Sequence, residues 1–194
     1  MSTYISSTML TNLSAPTIPN SAKKSSFLCQ FGHNGILLLM NEKITKKIGE
    51  ACAFAQVLDT TYSANQSVML TLLGDQASTV AKTAAAQVTA LQAICDEAGT
   101  TGVLLPKVDK TAVKITGMGE AYVGDDWDDA AEVLEWLSFF VGGAIVHWQL
   151  IAGAGTAMGH TSLARVADAG VEYYEGLMTQ LKVAATQIGT QRAG

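Results

Sequence analysis

The sequence predicts an all-α protein, and three observations predict it. Apolar and small residues recur at alternating four- and three-residue spacing over most of the chain. The three prolines fall at positions 16, 19 and 106, which leaves both long intervening stretches free to be helical. Glycines stand where the periodic runs change phase, as helix-ending residues do.

The first run reads Ile44, Ile48, Ala51, Ala55, Leu58, Tyr62, Asn65, Met69, Leu72. It predicts one unbroken helix with a single packed seam, in which Asn65 is the one polar, register-setting member. Gly74 ends that helix, and Asp75 or Ser78 is expected to cap the next. The second helix carries Val80, Ala84, Val88, Leu91 and Cys95 and stops at Gly99. Residues 99–124 change character, with threonine, glycine and the stretch "LLPKVDKTAVKITGMG". They read as an irregular connection holding a short strand around Val113 to Thr116.

The acidic "GDDWDDAAEVLEWL" then starts a third helix, its aspartates favourably placed at the positive end of the helix dipole and Asp125 or Asp126 available as cap. Its seam is Ala130, Leu134, Leu137, Val141, Ala144, Trp148 and Ile151. A calcium loop would need a ligand spacing that this stretch lacks. The fourth helix follows Gly159 with Leu163, Val166, Gly170, Tyr173, Leu177, Leu181, Ala184 and Ile188. Phase slips at Gly74 and Gly159 predict two helical hairpins joined by a long irregular connection, a four-helix bundle. The alternative is two very long helices folded as one coiled-coil hairpin. Residues 1–40 are expected to form a flexible Ser/Thr-rich arm, and residues 41–194 the bundle.

Composition excludes some functions. With a net charge of −5 and only 15% charged residues, the chain offers no basic patch for nucleic acid. Cys29, Cys52 and Cys95 are odd in number and contain no CxxC, so a disulfide framework is not expected; Cys52 and Cys95 read as reduced core residues. The N-terminus lacks the basic and apolar regions of a secretory signal peptide.

Residues 137–170, "LSFFVGGAIVHWQLIAGAGTAMGHTSLARVADAG", admit three readings. The apolar part is long enough to cross a bilayer, but His147 and Gln149 lie near its middle and basic anchors are missing. Gly153, Gly155 and Gly159 imitate a dinucleotide fingerprint with Glu172 or Glu175 downstream, yet no alternating strands surround them. The third reading, a buried bundle helix ending at Gly159, keeps the seam in step.

No residue is singled out as catalytic, cofactor-binding or metal-ligating. The chain is similar to ferritin-like proteins in inferred topology, but it has no Glu-x-x-His pair. His33, His147 and His160 are too far apart in sequence to form a close-spaced zinc pair. His147 reads as a satisfied core histidine and His160 as part of the turn at Gly159. More apolar groups surround the third helix than one seam needs. Trp136, Phe139, Phe140, Val146 and Leu150 are therefore candidates for an assembly or membrane surface, unless this is simply the central helix of the bundle.

Two features carry a family resemblance. One is the Ser/Thr/Asn-rich start. The other is the middle segment "LPKVDKTAVKITGM", with Leu105, Pro106, Val108, Val113, Ile115, Gly117 and Met118. Together with the overall architecture, these resemble type III secretion translocon filament proteins. The resemblance implies a non-enzymatic protein, secreted without a cleaved signal peptide, that assembles with itself or a partner protein. The apolar, glycine-rich residues 137–159 depart from that family's polar C-terminal helix. They leave open a membrane-active protein, either pore-forming or a translocator, and a cytoplasmic location is the alternative to secretion.

Overall fold

The computed structural model describes residues 40–194, and these form an all-α bundle with no strand among them. Six α-helices follow one another: α1 (Glu42–Ala64), α2 (Gln66–Leu73), α3 (Val80–Glu97), α4 (Thr101–Val123), α5 (Ala130–Ala157) and α6 (Thr161–Ala193). A 3-10 segment, Gly74–Thr79, joins α2 to α3. The predicted arm, with Cys29 and His33, lies outside the described residues except for Met40, which is buried.

α1 is the central element. Asn41 caps it, its side chain accepting the Ile44 N–H at 3.0 Å. From Ile48 to Leu58 the helix is small or apolar on nearly every side, so it must be covered on every side. It packs against α3, α4 and α5. The predicted unbroken helix to Leu72 is corrected at Asn65. That residue leaves helical geometry at φ −129° and ψ 42°, and its Nδ2 donates to the Thr61 carbonyl at 3.1 Å. A side chain that competes for backbone acceptors ends the helix here instead of setting its register.

The loop expected at 99–124 is also corrected, because α4 fills it, and the strand expected at Val113 to Thr116 is helical. Pro106 lies in the second turn of α4, where it removes the hydrogen bond to Gly102. Gly102 is exposed, so its carbonyl stays open to solvent. The buried face of α4 is Leu104, Val108, Ile115, Gly119 and Val123. At Gly119 the indole of Trp136 comes within 3.0 Å of where a Cβ would stand, so a glycine occupies a position that an apolar side chain would otherwise mark.

Turns at Gly99 and Gly159 share one chemistry. Each glycine has positive φ, 67° and 66°. In each case the next N–H bonds back five residues, Thr100 to the Cys95 carbonyl and His160 to the Gly155 carbonyl, both at 2.8 Å. His160 then caps α6 by accepting the Leu163 N–H, which accords with the turn role expected of it. The expected caps elsewhere differ. Asp75 and Ser78 fall inside the 3-10 segment, and it is Asp129, not Asp125 or Asp126, that caps α5 by accepting from Ala131.

α5 and α6 form an extended antiparallel pair in which Gly155 abuts the backbone of Ala164 and Gly170 abuts Trp148. Gly153 and Gly155 lie within α5 and Gly159 in the hairpin turn, so the dinucleotide-like glycines belong to helix packing and helix ending. Cys52 and Cys95 are free and buried, and burial pushes the Cys52 thiol up to about 12, leaving it protonated and inert.

Candidate interaction surface

The five residues expected to form a surface divide into two groups. Trp136 and Phe140 are 5% and 4% exposed and belong to the core, which corrects that expectation for them. Phe139, Val146 and Leu150 are 65%, 54% and 51% exposed and lie along one outward stripe of α5. α5 is therefore not the helix enclosed by the bundle; α1 holds that place.

Beside this stripe, α4 and α5 diverge over α1 and leave a groove of about 300 Å³. Its floor comes from α1 (Glu50, Phe54), one wall from α4 (Lys107, Thr111, Lys114, Ile115, Met118), and the other from α5 (Trp136, Phe139, Phe140, Gly143, His147). Small residues shape it. At Gly49 the stem of Lys107 and the Leu104 carbonyl come within 3.0–3.2 Å of a would-be Cβ, so α1 and α4 meet closely there. At Gly143 the Phe54 ring stands 3.3 Å away, which lets α5 settle over α1.

That closeness brings charges together at the closed end. The Glu50 carboxylate is 12% exposed and receives Lys107 Nζ at 2.7 Å on Oε1 and Lys47 Nζ at 2.7 Å on Oε2. His147 Nε2 is 3.1 Å from the same Oε2, while its Nδ1 donates to the Gly143 carbonyl at 2.8 Å. His147 is thus partnered, as expected, but it is half-buried at the groove and not in the core. Burial alone would raise the Glu50 carboxyl, but hydrogen bonds and charge from Lys107 and Lys47 outweigh burial and hold it below the ordinary carboxylate range. The cluster is a structural clamp on three helices.

Towards the open end the groove becomes aromatic. Phe54 and Phe140 rings are 5.2 Å apart, and Trp136 and Phe140 are 6.0 Å apart. Tyr122 meets Phe139 edge-on at 5.6 Å. The Tyr122 hydroxyl donates to Glu135 at 2.8 Å, and that bond, with the neighbouring Glu135 and Glu132 charges, raises the Tyr122 hydroxyl above its ordinary value. Met118 and Tyr122, both on α4, are exposed beside Phe139. Sequence reasoning missed the whole α4 contribution, because it assigned that segment to a loop.

Among the described residues, no group of three or more His, Cys, Asp or Glu side chains converges where a metal ion could sit. Comparison with protein-family models, with curated proteins and with solved structures finds no match.

Proposed function

We propose that this is a non-enzymatic helical protein that works through contacts with other chains, above all with copies of itself. Its working surface is the face formed by α4 and α5. The observation that carries this reading is the apolar rim left open on a well-packed bundle: Met118, Tyr122, Phe139, Val146 and Leu150 are all exposed. Contiguous exposed apolar residues beside a groove, edged by charge, are the pattern of a docking surface. The sequence resemblance favours a secreted structural or translocon-type component, and the Ser/Thr-rich start supports export without a cleaved signal peptide.

A second reading has one observation in its favour. α5 is long and apolar enough to cross a membrane, and only 33% of its most apolar window is buried in the bundle. On that reading the same stripe meets lipid. Sedimentation velocity of the full chain over a wide concentration range separates the two. Self-assembly predicts a sedimentation coefficient that rises with concentration and no release of dye from anionic vesicles. A monomer at every concentration that does release dye would replace the first reading with the second.

A further inference from the structure

The α4–α5 face is electrostatically lopsided along its length, and this points to its occupant. α4 and α5 run antiparallel here, with Tyr122 level with Glu135 and Met118 in the same groove as Phe139. One to two helical turns before Met118 on α4 stand Lys114 and Lys110, both exposed and without an ion pair among the described residues. One to two turns before Phe139 on α5, at the opposite end of the face, stand Glu135 and Glu132. Met118, Tyr122 and Phe139 form the apolar middle, and the α5 stripe continues past them to Val146 and Leu150 on the lysine side.

Such a face is complementary to itself. A two-fold axis lying across the groove at the level of Met118 and Phe139 turns the basic end of one molecule onto the acidic end of another and stacks the apolar middles. From this we infer that the occupant of the face is a second copy of this chain, bound antiparallel about that axis. The inference rests on the self-assembly reading and specifies its geometry. A two-fold axis running along the helices instead would set like charges against each other, which this charge order disfavours.

The test uses two full-length variants, Lys110→Glu/Lys114→Glu and Glu132→Lys/Glu135→Lys. The first makes both ends of the face acidic, the second both ends basic. In sedimentation equilibrium at low salt, each alone is expected to self-associate about tenfold or more weakly than wild type, because like charges then oppose at both ends. Their equimolar mixture is expected to regain wild-type association as a heterodimer. Lys110, Lys114 and Glu135 are exposed and Glu132 is half-buried, and circular dichroism melting of each variant checks that it folds; recovery on mixing shows the same independently. Variants that self-associate as tightly as wild type overturn the antiparallel arrangement while leaving self-assembly standing. A wild-type chain that stays monomeric overturns both, and vesicle binding by that monomer would assign the face to lipid.

Discussion

Gly170→Ala is expected to lower the stability of the bundle by about 2 kcal/mol, although the substitution favours the helix it sits in. Gly170 is buried in the middle of α6, and a Cβ there would fall 2.2–2.7 Å from three indole carbons of Trp148. Trp148 is itself fully buried, so its ring has no solvent to retreat into. Overpacking a filled core costs about 1–3 kcal/mol, and overlap with a rigid ring belongs at the upper end. The gain in helix propensity, about 1 kcal/mol, offsets part of this.

Gly117→Ala provides the control. Gly117 is in α4 and exposed, with nothing within 4 Å of the added methyl, so it takes the propensity gain without the clash. Chemical unfolding of the two variants should move the midpoint in opposite directions. Adding Trp148→Phe to Gly170→Ala should cost less than the sum of the single effects, because the smaller ring makes room. Equal effects of Gly170→Ala and Gly117→Ala would mean that α5 and α6 do not pack through this contact.

The second large effect belongs to Glu50. Glu50→Gln keeps the shape and removes the charge, leaving Lys107 and Lys47 with a neutral partner whose side chain is only 12% exposed. Hydrogen bonds to a charged group are worth about 1.5–3 kcal/mol, and both lysines are partly exposed, so the expected loss is about 2 kcal/mol. The pH dependence has a definite sign. The folded carboxyl is held below its ordinary value of 4.5, so its contribution is present in full above that value and is lost as the pH falls through the folded one. Wild-type stability should therefore fall towards that of the variant in acid, and the two unfolding free energies should converge below pH 4.5. A constant gap across the whole range would assign the loss to packing rather than to charge.

How far the sequence discloses this fold follows from which residues occupy the seams. In α1, α3, α5 and α6 nearly every seam residue is large and apolar or plainly small, and those positions are buried or nearly so. α4 escapes detection for physical reasons. Its buried row passes through Gly119, which has no side chain to show a period, and Pro106 and Gly102 carry the composition of a loop. Asn65 misleads in the opposite direction: it stands in register, yet its amide takes a backbone acceptor and stops the helix. Of the surface, Phe139, Val146 and Leu150 are visible as excess hydrophobicity on α5. Trp136 and Phe140 show the same excess but turn inward, because Gly119 and Phe54 of neighbouring helices receive them. The Glu50 cluster joins residues from three helices, and no local spacing announces such a meeting.

If the exposed α4–α5 face joins copies of the chain, a single substitution at its middle should separate them. Phe139 is 65% exposed at the middle of that face, so Phe139→Asp should leave the melting temperature nearly unchanged. In an interface it would bury a carboxylate in the apolar centre of both partners at once. Sedimentation equilibrium of the variant beside wild type should show a folded monomer at concentrations where wild type is associated. A variant that associates as strongly as wild type would show that copies of the chain do not meet through this face.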